Sequence, residues 1–134
     1  MVRRMKAADE VWNRACDPSF AATLPGGIAL RDVLAFHSLA MNGGALHSWE
    51  TLGSEATAAA AQGFAFLGVG EAADVVSWLI ATGHATDLDD DDASEELEAE
   101  SDRRYNAVVS QDQVLLDAFE SRYVSNPEDF KSIT

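Results

Sequence analysis

The chain has 134 residues, enough for one domain with its own core, and 47% of them are hydrophobic while 24% are charged. Its net charge of −14 disfavours direct binding to nucleic acid or to an anionic membrane, because both require a basic surface. No apolar run approaches the ~20 residues that a membrane span needs, and no apolar stretch follows the basic N-terminus as it would in a secretory signal. The single cysteine, Cys16, fits a reducing compartment. We therefore expect a cytoplasmic protein.

Apolar residues at three- and four-residue spacing predict helices along the first half of the chain. The first helix carries the apolar stripe Met5, Ala8, Trp12, Ala15 and Cys16. It ends at Asp17-Pro18, because the residue before a proline is forced out of the helical region. After a loop at 24–27, a second helix covers 30–41 and ends at Asn42-Gly43-Gly44, since asparagine and glycine accept the left-handed conformation that closes a helix.

The sequence pattern of the central part of the chain predicts three more helices. A short one lies around Leu46, Trp49 and Leu52. Ser54 is expected to cap an Ala-rich helix over 55–67, which Gly68-Val69-Gly70 ends. A fifth helix over 72–80 is expected to be closed by Gly83, which would leave His84 in a loop.

Two helices are predicted after the acidic run. Asp92 is expected to cap the first, with Glu95 at its third position, and Ser110-Gln111-Asp112-Gln113 resembles a second capping box. Asn126-Pro127 ends the last helix, and Phe130 is expected to pack back as an anchor. Because no stretch alternates with period two, the fold class is all-α. We predict a single compact domain over 1–134 with six or seven short helices and an acidic loop and helix start at 86–102.

All of the net charge lies in the second half of the chain. Residues 51–134 contain eighteen acidic and four basic residues, whereas the first fifty residues are balanced. Ten of the acidic residues fall between 87 and 102, with no lysine or arginine among them. These residues are Asp87, Asp89, Asp90, Asp91, Asp92, Glu95, Glu96, Glu98, Glu100 and Asp102.

Three interpretations of the acidic run follow. It is a solvated loop and helix start, where acids favour the helix dipole and solubility. It is a calcium loop, in which Asp87, Asp89, Asp91 and Glu98 take positions 1, 3, 5 and 12, although position 6 lacks the usual glycine. Or it imitates nucleic acid: sixteen helical residues span ~24 Å, and ten acids over that length approach the charge spacing of duplex DNA.

No catalytic or metal-binding pattern is apparent. His37 falls on the apolar face of the second helix and Cys16 on that of the first, so both are expected to be packed core residues. The histidines and the single cysteine have no metal-ligand spacing. We therefore predict a protein that is not an enzyme and that has no cofactor and no metal site.

Several motifs resemble a bacterial domain-of-unknown-function family that includes acidic, all-helical DNA-mimic proteins. The motifs are the Asn-Gly-Gly turn within Ala40–Ser48, Phe64-x-Phe66-Leu67-Gly68, and the closing pattern of Tyr105, Leu115, Phe119, Tyr123 and Pro127-x-Asp129-Phe130. The resemblance implies a helical homodimer without catalytic residues, which covers the DNA-binding surface of a protein.

The leading functional hypothesis is therefore a DNA mimic. Its ten acidic residues at 87–102 would replace phosphates on the surface of a basic DNA-binding protein, without direct nucleic-acid or membrane contact. Asp112, Asp117 and Glu120 extend this surface if the last two helices lie side by side. The alternative is an immunity-type or adaptor protein that binds one partner by shape, through apolar residues around Phe36 and Trp49, with an acidic run that only solubilises.

Overall fold

The computed structural model describes residues 6–17, 19 and 21–130. Within them the chain forms six helices and no strand, which confirms the predicted all-α class. The helices are α1 (Lys6–Cys16), α2 (Pro25–Gly43), α3 (Ala45–Phe66), α4 (Gly70–His84), α5 (Asp91–Val108) and α6 (Asp112–Ser125), followed by a 3₁₀ turn, Pro127–Asp129. Met5, which the sequence placed in the first helix, lies outside the described residues.

The second helix begins earlier than predicted. Pro25 occupies its first turn, so the Pro-Gly-Gly sequence is helical and not a loop. A proline there loses nothing, because the first N–H groups of a helix have no intrahelical partner. Gly26 is buried, and a Cβ on it would lie 2.7 Å from the ring of Phe130. The glycine thus makes room for the C-terminal anchor, whose predicted packing is confirmed.

The third helix is bent at Gly53, where the backbone leaves helical geometry (φ 86°, ψ 168°). The two short helices predicted here are the two halves of α3. Ser54 follows the bend, and its hydroxyl forms hydrogen bonds with two side chains. It accepts from Trp49 Nε1 at 3.2 Å and pairs with His84 Nε2 at 2.9 Å. The first half of α3 is thereby tied to the end of α4.

Gly83 does not end α4, contrary to the prediction. The helix continues to His84, so this histidine lies in a helix and not in a loop. A Cβ on Gly83 would lie 2.4 Å from the ring of Trp49. The glycine therefore permits close packing of α4 against α3.

The caps of the last two helices also differ from the prediction. Asp90, not Asp92, is the N-cap of α5, and its side chain accepts from the backbone N–H groups of Asp92 and Ala93. Gln111, not Ser110, precedes α6, and it makes no side-chain capping bond. Both helices begin near the predicted residues, but their N-cap positions are shifted by one or two residues.

One apolar core contains residues of all six helices, as a single domain requires. At its centre the rings of Phe36, Phe64 and Tyr105 meet edge to face, with centroids 5.4 to 6.2 Å apart. Phe36 is fully buried and Trp49 is 7% exposed. The predicted apolar interface around these two residues is therefore wrong, because both belong to the core.

Within the described residues, no helix is both long enough and apolar enough to cross a bilayer.

The contact between Gly83 and Trp49 gives a stability test. We expect Gly83→Ala to lower the free energy of unfolding by about 1–3 kcal/mol, the usual cost of an overpacked core. The loss should appear even though alanine favours a helix more than glycine does. Urea unfolding measures it. Gly70→Ala is the control, because a Cβ at that first residue of α4 meets no atom within 4 Å. Equal stability of the two variants would contradict the packing role of Gly83.

Candidate functional site

Eight of the ten acidic residues from the sequence analysis form an exposed surface at the start of α5. We call this set the acidic surface. It consists of Asp87, Asp89, Asp90, Asp91, Asp92, Glu95, Glu96 and Glu98, all of which are exposed. The first three lie in the turn before α5, and the others lie in its first two turns. No lysine or arginine lies among them.

Local hydrogen bonds hold the turn before α5 in place. Asp87 Oδ1 accepts from the backbone N–H of Asp89 at 3.1 Å. Asp90 Oδ1 accepts from the N–H groups of Asp92 and Ala93 at 3.0 and 3.3 Å. The bonds that Asp90 accepts satisfy backbone donors that the helix itself leaves free. The carboxylates are therefore presented by a turn and a helix of defined geometry.

Glu100 and Asp102 serve the fold, and the acidic surface does not include them. Glu100 accepts hydrogen bonds from Arg104 and Arg103, and these bonds lower the pKa of its carboxyl. Asp102 Oδ1 accepts from the backbone N–H of Ala45, the first residue of α3, at 2.9 Å. A carboxylate at this position complements the positive end of the helix dipole.

The acidic surface is compact and faces several directions. Its helical part, from Asp91 to Glu98, rises about 10 Å along the helix axis, and the five acids spread over an arc of about 160°. The predicted ~24 Å strip is thus shortened, because residues 87–90 are not helical and the last two acids are hydrogen-bonded to other groups of the protein.

The last helix does not extend the acidic surface. Helix α5 packs against α3 and α4. Helix α6 instead contacts the 3₁₀ turn, and its Phe119 ring packs against Trp12 of α1, so α5 and α6 do not lie side by side. Asp112 instead bonds to His37, and Asp117 accepts from Gln113 at 2.7 Å on its own helix.

The calcium-loop interpretation is wrong in geometry. Asp91 and Glu98 lie within α5, so the twelve residues do not form the loop that would place their oxygens around one ion. Among the described residues, no group of three or more histidine, cysteine, aspartate or glutamate side chains is placed to hold a metal.

A second candidate site lies between α1, α2 and the start of α6. It is an open cleft of about 890 Å³, and we call it the α1–α2–α6 cleft. Helix α1 contributes Trp12 and Cys16, α6 contributes Asp112, and α2 contributes a stripe from Arg31 to Asn42. Its volume falls in the range of small-molecule sites.

A chain of hydrogen bonds leads from the core into this cleft. His37 is 5% exposed, and its Nδ1 lies 2.8 Å from the hydroxyl of Tyr105 while its Nε2 lies 2.7 Å from Asp112 Oδ1. Burial, and to a lesser extent the charge of Asp112, raises the pKa of Tyr105, so its hydroxyl keeps its proton. A neutral imidazole satisfies both bonds by accepting from Tyr105 and donating to Asp112.

Further charged and polar groups line the cleft beside apolar ones such as Leu34 and Leu115. Arg31 Nη2 lies 3.7 Å from Asp32 Oδ1, and burial raises the pKa of the Asp32 carboxyl although Arg31 acts in the opposite direction. Cys16 is exposed, which contradicts its prediction as a core residue. Partial burial of the thiol and the charge of Asp112 raise the pKa of Cys16. The cleft thus contains two carboxylates, a guanidinium and a thiol.

This cleft could not be predicted from local sequence patterns, because its residues come from three helices. Asp112 is seventy-five residues from His37, and no local pattern connects them. One signal was present: Arg31, Ala35, Ser38 and Asn42 recur at helical spacing, so α2 carries a polar stripe with small residues opposite its apolar face. The burial of His37 was predicted correctly, but its two hydrogen-bond partners were not.

Models of known protein families, curated proteins and solved structures were each compared with the chain, and none of them matches it. The resemblance to the DNA-mimic family therefore stays a prediction.

Tyr105→Phe tests the hydrogen-bond chain. At pH 7 we expect the free energy of unfolding to fall by about 1–3 kcal/mol, because Nδ1 of the buried His37 loses its donor. The pH dependence should change as well. An unfolded tyrosine ionises near pH ~10, whereas the raised pKa keeps the folded Tyr105 neutral. The stability that Tyr105 contributes through this difference in pKa is therefore complete below the pKa of the unfolded tyrosine, and it is lost as the pH rises further.

Urea unfolding at pH 7 and above pH 10 measures both effects. The variant should be less stable at neutral pH and should lose stability less steeply in alkali than the parent protein. Unchanged stability at pH 7 together with an unchanged alkaline slope would contradict the bond between Tyr105 and His37.

Proposed function

We propose that this protein is a DNA mimic, which uses its acidic surface to occupy the basic DNA-binding surface of a partner protein. The observation that carries the proposal is the presence of eight exposed carboxylates within residues 87–98, with no basic residue between them. A cluster of this kind repels itself and lowers stability, so a positive partner would relieve a cost that the free protein bears.

The spacing of the carboxylates supports this function. The five acids of α5 from Asp91 to Glu98 occupy about 10 Å of helix rise, or roughly one charge per 2 Å. Duplex DNA carries one charge per ~1.7 Å of its axis. Their wide arc matches a concave basic surface better than a flat one, because a concave surface can reach carboxylates on several sides of one helix.

The fixed geometry of the segment supports it further. Asp90 caps α5 and Asp87 closes the preceding turn, so the carboxylates are already positioned before a partner arrives. Association then costs little ordering of the chain. Long-range attraction from the concentrated charge would accelerate the encounter and would weaken as salt is added.

The proposal places this action in the cytoplasm, where a DNA-binding partner is met. It also includes the homodimer that the family resemblance implies. Two copies would present two acidic surfaces, and binding of the second would be favoured by the first through effective concentration.

Displacement of DNA tests the function directly. Purified basic DNA-binding proteins, each loaded with a labelled duplex, are titrated with this protein at ~50 and ~300 mM salt, on either side of physiological screening. We expect release of the duplex from at least one of them, with a much higher concentration required at the higher salt. Fluorescence anisotropy of the duplex measures the release.

A matched pair of variants separates the acidic surface from net charge. The first carries Asp91→Asn, Asp92→Asn, Glu95→Gln and Glu96→Gln and leaves the capping Asp90 intact. The control neutralises four exposed acids elsewhere, Glu10, Glu50, Glu55 and Asp74, and has the same net charge. Four lost pairs at up to about 1 kcal/mol each should weaken displacement by roughly tenfold or more, whereas the control should change it much less.

Three outcomes would count against the proposal. The parent protein displaces no duplex from any protein tested; displacement is indifferent to salt and to the four substitutions, as recognition by shape predicts; or both variants lose it equally, which would assign the effect to overall charge.

A further inference from the structure

The shape of the α1–α2–α6 cleft is set by the stripe of residues on α2. Arg31, Ala35, Ser38 and Asn42 lie along one side of the helix over about 16 Å. The two central side chains are small, and Trp12 of α1 lines the same cleft. The floor of the cleft is therefore open and mostly apolar between two polar ends.

The charges of the cleft favour one kind of ligand. Among the described residues that line it, Asp32 and Asp112 are the acids and Arg31 is the lysine or arginine, so their balance is one negative charge. The side chain of Asp112 is 79% exposed although Nε2 of His37 holds its Oδ1. The carboxylate is thus oriented by the protein and still accessible from the cleft.

From this geometry we infer that the cleft binds a small organic cation, an amine with an apolar body, whose charged group pairs with Asp112 and whose body lies against Trp12 and the small residues of α2. The net charge of −14 acts in the same direction, because the field of the whole protein attracts cations and repels anions. This site is separate from the acidic surface and does not depend on the DNA-mimic proposal.

His37 acts here as a positioning residue. It is buried, it is fixed by Tyr105 on one side, and its other nitrogen sets the direction of the Asp112 carboxylate. A carboxylate held in advance binds an ammonium group with a smaller entropic cost than a freely rotating one. The start of α6 is thereby joined to the core at the point where the ligand would bind.

Cys16 gives a direct readout of occupancy. It is the single cysteine of the chain, it is exposed, and it lines the cleft. The rate of its reaction with iodoacetamide is measured at pH 8 with and without three probes of similar size. The probes are phenethylamine, which is a cation at this pH, neutral 2-phenylethanol, and anionic phenylacetate.

We expect phenethylamine to protect Cys16, with labelling slowed about threefold when its concentration is twice its dissociation constant, by mass action. The alcohol should protect more weakly and phenylacetate least. Protection by all three alike, or by none of them, would overturn the proposal, since the first result indicates an apolar site without charge selection and the second indicates no site.

Asp112→Asn tests the residue that the inference depends on. The amide oxygen can still accept from His37, so the fold should persist, while the charge is lost. We expect phenethylamine to bind about fivefold more weakly, as for the loss of one partly exposed ion pair. Rates are compared as ratios with and without probe, because removing the charge also changes the reactivity of the thiol.

Asp117→Asn is the matched control, since it removes the same charge from the same helix at a residue that does not line the cleft. It should leave protection by phenethylamine nearly unchanged. Equal weakening by the two variants would overturn the assignment of Asp112. A circular dichroism spectrum of each variant confirms that the comparison is made between folded proteins.

Discussion

The packing of Tyr105 is the interaction on which both candidate sites depend. Its ring completes the edge-to-face cluster with Phe36 and Phe64, and its hydroxyl reaches His37. Through the ring, α5 is held against α2 and α3. Through the hydroxyl, the first turn of α6 is joined to the same point by way of His37 and Asp112. One side chain therefore anchors the helix that carries the acidic surface and the network that forms one wall of the cleft.

Helix α5 needs such an anchor because its own sequence contributes little to burial. Its buried residues are only Leu97, Ser101 and Tyr105, and its outer side carries carboxylates that repel each other. The helix compensates locally. Acids in its first turn favour the helix dipole, Asp90 caps it, and Glu100 pairs with two arginines one turn later. Repulsion is thus concentrated on the outer surface, while each contact toward the core is apolar or hydrogen-bonded.

Much of the fold could be predicted from periodicity alone. The spacing of apolar residues located every helix, and Gly44 and Gly68 have the positive φ angles that the breaks at these positions required. The predictions at Gly26 and Gly83 are wrong, because at each position the missing side chain makes room for an aromatic ring from a distant part of the chain. A local pattern cannot distinguish a glycine that ends a helix from one that lets a neighbour approach.

The two candidate sites also differ in how far they could be predicted from local sequence patterns. The acidic surface is contiguous in sequence, so its residues could be named in advance, and only the pairing of Glu100 with Arg103 and Arg104 and the bond of Asp102 to α3 required the fold. The cleft is assembled from three helices, and its central bond joins residues in α2 and α6. Composition and residue spacing carry no information about a contact between residues so far apart in the chain. The exposure of Cys16 belongs to the same class, since it depends on how α1 lies against its neighbours.

The bond between Asp102 and the start of α3 has a consequence for the orientation of α5. Successive residues on a helix point about 100° apart, so fixing the direction of one side chain fixes the azimuth of all the others. The contact of Asp102 with Ala45 fixes, together with the buried Tyr105, which side of α5 faces the core, and the acids of the other sides face the solvent. A single residue inserted between the acidic surface and Asp102 would turn the carboxylates through more than a quarter of a circle, with no change in composition or charge.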